Sequence, residues 1–299
     1  MRPGRPSDLQ ALREVTKRLV REGITNCVPT ASWFQRMLGD FDWAARSRIV
    51  EQDGEIVGGV LVFDRPVNEG TLARAEVMAG PELLVPLADW GIALSRASAA
   101  WCVQVWRGRG HADGLERTGL ARARGFWRMD RPNLLAVPAP PLPDGYRLLD
   151  DTSPELGGER WVATYNAAFA EHWRFSPSHA DAVSRRRQAP GFVPGLELMA
   201  VTEDGRPAAL VISGLEEYEE DRRPQPVGLV GVVGTLPEHR RQGLAAALTA
   251  EALRRLRAAG ARSSSLYVDA QNATRAYDLY RRLGYEVGFE DEVWELTFS

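Results

Sequence analysis

At 299 residues, 44% of them hydrophobic and 26% charged, the chain has the composition of a globular protein with room for two ordinary domains. A formal net charge of −3, carried on the basic side almost wholly by arginine with no basic block, argues against a nucleic-acid surface. No run of about 18 apolar residues suits a bilayer, the first residues hold no apolar signal region, and neither Cys27 and Cys102 nor the four scattered histidines have metal-ligand spacing, so a cytoplasmic, metal-free protein is expected.

In chain order, residues 7–21 and 31–38 are helix candidates, and "RIVEQDGEIVGGVLVF" reads as a hairpin about Asp53-Gly54. "LADWGIALSRA" is a helix, "WCVQVW" a strand, and "DGLERTGLARARGF" has helix-like spacing. "VPAPPLPDG" then sets a stiff proline-rich linker at 138–144, dividing the chain into units 1–137 and 145–299. After it come the strand "YRLLD", a helix over 159–173 and a second helix beginning at "SPSHADAV". A hairpin about Asp204-Gly205 and the valine-rich strand "VGLVGVVGTL" lead into a helix over 238–260. The strand "SSSLYVD", a helix over 272–283 and the strand "YEVGFEDEVWELTF" complete the chain. Both halves give a similar order and end on a related phrase, "LARARGFWRMD" against "LYRRLGYEVGF", which points to a tandem repeat of one α/β unit.

The stretch "EHRRQGLAAALTAEAL" is the most specific feature. A glycine within a helix costs about 1 kcal/mol relative to alanine, so Gly243 requires a reason. A helix amino terminus presents unpaired N–H groups and a positive dipole, which suits a phosphate. Gly243 and Ala245 leave room for a pyrophosphate to approach the backbone, and Arg240 and Arg241 supply charge. Leu244, Leu248, Ala252 and Leu256 form the apolar stripe that would hold the helix to a sheet. The bland alternative is close packing at Gly243 with solvated arginines.

The order "VVGTLPEHRRQGLAAALTAEAL" followed by "LYVDAQNATRAYDLYRRLGY" resembles the acetyl-CoA-binding core of the GCN5-related N-acetyltransferases (GNAT), whose glycine motif is Arg/Gln-x-x-Gly-x-Gly/Ala. Arg240, Gly243 and Ala245 match it, and Asn272, Ala276, Leu279, Tyr280 and Gly284-Tyr285 follow in that family's spacing. The resemblance covers 145–299 well and the first half in outline. Two such units at this length look most like the mycothiol synthase branch and its actinobacterial relatives. The fold it implies is α/β, two tandem GNAT-like domains, each a mixed, mostly antiparallel sheet flanked by helices.

It also implies roles. Val233, Gly234 and Thr235 would present backbone groups to the pantetheine arm beside a bulge or splay. Arg240, Arg241, Gln242, Gly243, Leu244, Ala245 and Ala246 would cradle the pyrophosphate, and Asn272 would hydrogen-bond the pantetheine. Tyr280, a phenol protonated at neutral pH, would be the general acid for the departing thiolate. The acid expected near the start of the motif strand is missing, with Leu229 in its place, so the base is sought at Glu171 first, then His172 or the stretch 216–221, itself read as a solvated loop. The amino-terminal half has only "PELLVP" where the glycine motif would stand and is expected to be catalytically silent. The expected activity is acyl transfer from acetyl-CoA to a primary amine of a small molecule or peptide, without metal, nucleic acid or membrane. The alternatives are a mycothiol synthase acting on a cysteinyl amine and a non-catalytic acyl-CoA-binding sensor.

Overall fold

The computed structural model describes residues 1–29, 38–216, 218–219, 221–272 and 274–298, so all but the end of the helix expected over 31–38 lies outside them. The strands are β1 Arg2–Pro3, β2 Val28–Pro29, β3 Ser47–Gln52, β4 Glu55–Val67, β5 Gly70–Met78, β6 Cys102–Gly108 and β7 Ala121–Arg131 in the first half. Those in the second are β8 Tyr146–Asp150, β9 Glu197–Thr202, β10 Pro207–Glu216, β11 Tyr218–Glu219, β12 Val227–Thr235, β13 Ser263–Asp269 and β14 Glu286–Thr297. The helices are α1 Leu9–Arg21, α2 Trp43–Arg46, α3 Pro81–Arg96, α4 Gly158–Phe169, α5 Ala180–Gln188, α6 Leu244–Ala258 and α7 Ala276–Arg282.

Twelve strands form one sheet in the order β1-β3-β4-β5-β6-β14-β7-β13-β12-β10-β9-β8. The order is nearly symmetric about its centre. Each half runs outward through a parallel pair, β5 with β6 and β12 with β13, while the other pairs are antiparallel. At the centre β14 of the second half lies between β6 and β7 of the first, and β7 in turn pairs with β13, so each half completes the other's sheet.

The segment read as helix-like at 113–126 is instead a short 3-10 turn, Leu115–Thr118, followed by β7. Gly119, at φ +87°, ends the turn, a conformation that L side chains rarely adopt. The alternation of "ARGFWRMDR" then gives β7 two faces. Trp127 and Met129 join the core under α6 and α7, while Phe126 meets Trp106 with ring centroids 4.8 Å apart.

Alternating strand residues place a core on each face. α3 covers Val60, Val62, Ala73, Ala75, Val103 and Val105, and α6 covers Leu198, Ala209, Val211, Val230 and Leu266. The opposite face is covered by α1 over Ile49, Leu61 and Met78, and by α4 and α5 over Met199, Val201 and Leu210. "EEYEED" is not a solvated loop where it is described: β11 pairs with β2, Glu219 bridges Arg13 and Lys17, and Asp221 bridges Arg223. Its tyrosine makes the difference, because Tyr218 is half-buried between the halves, beneath the Arg223 guanidinium at 5.2 Å.

Candidate active site

β12 loses its neighbour part-way along. Parallel pairing with β13 runs from Val227 opposite Ser263 to Val230 opposite Leu266 and stops. On the other side Val230 faces Ser213 and Val232 faces Ile212, so Gly231 is an extra residue, a bulge that turns the strand away from β13. Val233, Gly234 and Thr235 therefore line one side of a gap between diverging strands. A Cβ on Gly234 would stand 2.7 Å from the Phe169 ring, so that glycine lets the end of α4 pack against the strand.

Beyond β12 the chain makes a 3-10 turn, Pro237–His239, and enters α6 only at Leu244. Gly243 thus precedes the helix, at φ +90°, instead of sitting inside it, and Arg241 also has a positive φ, +66°. The left-handed backbone at Gly243 is the reason for a glycine there: any other residue would be strained by about 1–2 kcal/mol. The consecutive backbone N–H groups from Arg241 to Ala246 find no acceptor among the described residues. They form a concave run of donors at the positive end of a 15-residue helix, an arrangement fit for an anion. Tyr146 braces the turn, its hydroxyl 2.8 Å from His239 Nδ1 and donating to Gln242 Oε1 at 2.9 Å. Arg240 Nε donates to Thr235 O at 3.3 Å, tying the turn to the strand end. Buried Leu244 and Leu248 hold the helix to the sheet, while Ala245 and Ala246 stay partly open beside the turn.

Tyr280 lies on α7 in the core that includes Leu266 and Val268, its ring edge-on to Tyr285 at 6.2 Å. Burial raises its phenol above the usual range, so it keeps its proton. Its hydroxyl has no hydrogen-bond partner among the described residues and is not sealed from solvent. Asn272 stands before α7 instead of opening it. Its Oδ1 accepts from Thr274 N at 2.8 Å and Thr274 Oγ1 at 2.6 Å, a local turn that competes with helix and delays it to Ala276.

Glu171 lies past the end of α4, exposed to solvent, 3.8 Å from Arg240. His172 Nδ1 is 3.3 Å from the neighbouring Trp173 carbonyl. Leu229 is half-buried between Gly214 and Ser265 in the ladder. Sequence reasoning missed Tyr146 and Gly231. The repeated glycines of "VGLVGVVG" were the available signal for the bulge.

The first half has a corresponding gap that its own side chain fills. β5 and β6 pair in parallel only from Leu72 opposite Cys102 to Ala75 opposite Val105. Arg107, buried, then reaches across and donates to Val77 O at 3.3 Å, Ala79 O at 3.1 Å and His111 O at 3.2 Å. By register Arg107 corresponds to Val268 of β13. The helix expected over "LADWGIALSRA" begins earlier and takes in "PELLVP": α3 starts with Pro81 in its first turn and the Glu82 carboxylate over Gly80. A missing N–H and a negative charge stand where α6 offers free donors.

Residues 158–285 match the model of the acetyltransferase (GNAT) family. A mycothiol acetyltransferase of Kytococcus sedentarius is 32% identical over 239 residues, 75% of this chain and 76% of that protein. The mycothiol acetyltransferase of Thermobispora bispora is 38% identical over 169 residues, 56% of this chain and only 55% of the relative's own length. Among solved structures, a GCN5-related N-acetyltransferase from Sphaerobacter thermophilus superposes with a TM-score of 0.79 at 23% identity, covering 99% of this chain and 94% of that one, a likeness of fold. The sheet with its diverging strand pair, the donor turn before α6 and these matches agree, and the chain belongs to the acetyltransferase (GNAT) family.

Proposed function

We propose that this chain is an N-acetyltransferase that moves an acetyl group from acetyl-CoA to a primary amine of a small molecule or peptide. One observation carries the reading: the free N–H run from Arg241 to Ala246 lies directly beyond an unpaired strand edge, in reach of a phosphate-bearing ligand whose arm can lie along that edge. Acetyl-CoA supplies the thioester when bound. The turn at 240–246 would hold its pyrophosphate, Val233 to Thr235 its pantetheine along the gap, and the amide of Asn272 a further pantetheine contact. Tyr280 gives its proton to the thiolate sulfur as the new C–N bond forms and the C–S bond breaks. The amine gives up its own proton to water, with the solvent-exposed Glu171 as the first candidate to receive it. Its exposure favours a route through water.

The name shared by the relatives favours a second reading, a mycothiol-type acceptor. Leu229, standing where that branch is expected to hold an acid, weighs against it. Thiol release from acetyl-CoA, assayed against a panel of amines that includes cysteinyl-glucosaminyl-inositol, decides between them. Tyr280→Phe keeps the ring and its packing, so turnover should fall about 10²–10⁴-fold while acetyl-CoA affinity stays within about twofold. Full turnover in that variant would remove Tyr280 from the chemistry. Acetyl-CoA binding with no thiol release on any amine would favour a sensor.

A further inference from the structure

The hairpin of β4 and β5 extends from the first half onto the loop that follows α4 in the second. Asn68 N donates to Phe175 O at 2.9 Å, Ser176 Oγ donates to Pro66 O at 2.6 Å, and Arg174 Nη1 lies 3.2 Å from Glu69 Oε1. These contacts bring Arg65, near the end of β4, to the loop after α4, where the Phe175 ring lies 5.8 Å from that of Tyr165 on α4. Its guanidinium makes one long hydrogen bond, from Nη2 to Arg174 O at 3.4 Å, and has no carboxylate partner among the described residues. Four arginines near it are neutralised: Arg74 by Glu76 at 2.7 Å, Arg124 by Asp269 at 2.8 Å, Arg128 by Asp130 at 2.9 Å, and Arg174 by Glu295 and Glu69. Arg65 remains accessible to solvent, yet its surroundings desolvate the cation. That desolvation holds its pKa below the usual value, with Tyr165 acting in the other direction and the like charge of Arg74 adding a smaller lowering. A positive charge in this position lacks an anion.

Tyr165 lies on α4, its ring 5.0 Å from Phe169 one turn on and 5.2 Å from Trp161. Its hydroxyl has no hydrogen-bond partner among the described residues and is not sealed from solvent. Burial raises the phenol, which therefore stays a donor. Phe169 abuts Gly234 at the end of β12, and Tyr165, one helical turn earlier on the same side of α4, packs in one cluster with Ile212 and Val232, the pair next to the bulge at Gly231.

We infer that Arg65 and Tyr165, one from each half, bind an anionic group, a carboxylate or a phosphate, on the amine that accepts the acyl group. This rests on the acyl-transfer reading for what the ligand does there, though not for the anion. A guanidinium fork matches either group with two parallel N–H···O bonds, and the phenol adds a third. The silent half thereby contributes to acceptor selection.

Matched amines test it: β-alanine against β-alaninamide, and O-phosphoethanolamine against ethanolamine. Each is assayed by thiol release with acetyl-CoA and by calorimetric titration into protein saturated with coenzyme A. The anionic member of at least one pair should be favoured at least tenfold in kcat/KM, and the favoured pair tells carboxylate from phosphate. Arg65→Gln should abolish that preference through KM, leaving kcat and the neutral amines within about twofold, and Arg65→Lys should restore part of it. Tyr165→Phe should reduce the preference several-fold with an unchanged unfolding midpoint. Equal use of both members of each pair, or a preference that survives Arg65→Gln, overturns the assignment, as does failure of every probe both to react and to bind. If no amine reacts but the anionic probes bind in an Arg65-dependent manner, the anion site stands and the acyl-transfer reading falls.

Discussion

Tyr280 and Asp291 are both buried acids, and they differ in what they do. Tyr280 is held protonated by burial alone, which suits a proton donor and is independent of any partner. Asp291, on the strand shared by both halves, is almost buried and accepts from Asn26 Nδ2 at 3.0 Å. Burial pushes its carboxyl up to about 6, with Glu76 acting in the same direction and Asn26, Arg74 and Arg128 against it. A raised folded-state pKa means that the native protein holds this proton more tightly than the unfolded chain. The stabilising contribution is complete below the normal carboxylate range and is lost as pH rises through about 6. Above that, the ionised group costs up to about 3 kcal/mol, since each tenfold change in proton affinity is worth about 1.4 kcal/mol. Asp291→Asn keeps an oxygen for Asn26, so urea unfolding at pH 8 should show it about 1–3 kcal/mol more stable than the parent, the gain shrinking toward zero by pH 4. A gain independent of pH would show that the carboxyl ionises normally.

At the scale of elements, the two strand gaps compare directly. In the second half a bulge opens the gap and a left-handed glycine leads from it into a turn of free backbone N–H groups; in the first the Arg107 side chain satisfies carbonyls on the β5 side of the gap. Its burial lowers the guanidinium pKa to about 10, with Glu76 and Glu82 acting in the other direction. Arg107→Val, the residue at the matching place in β13, should destabilise the protein by about 2–4 kcal/mol through unpaired buried carbonyls. It should not create a second acetyl-CoA site, since α3 still begins with Pro81 and Glu82. Calorimetry showing two equivalents in this variant would mean that Arg107 alone closes the first half.

Local chemistry accounts for the elements legible in the sequence. The apolar stripe of α6, the Asp53-Gly54 and Asp204-Gly205 turns and the glycine at 243 are encoded within a few residues of where they act. The start of β7 falls within the helix-like stretch 113–126, and its partners, β13 and β14, lie more than a hundred residues away, where no local pattern reveals them. The contacts of Arg107 with Val77 and Ala79, and the approach of Arg65 to the loop after α4, likewise depend on tertiary placement, so each arginine looks like ordinary surface charge in the sequence.

At the scale of the molecule, the exchange of β7 and β14 makes the halves a single sheet, so the first half cannot be removed without taking a neighbour from β13. The proline-rich stretch at 138–144 joins units that share their central strands, and Pro143 lies 3.8 Å from where a Cβ on Gly243 would be. The linker is thereby close to the turn proposed to hold pyrophosphate. The central claim is that the chain binds one acetyl-CoA, at that turn in the second half. Calorimetric titration of acetyl-CoA into the parent, Arg240→Ala and Gly243→Glu, with the unfolding midpoint of each as the control for folding, tests it most directly. The account predicts one equivalent per chain in the parent, affinity weakened about 10-fold or more in Arg240→Ala by loss of a charge-assisted contact, and no measurable binding in folded Gly243→Glu. Two equivalents in the parent, or undiminished affinity in Gly243→Glu, would contradict it.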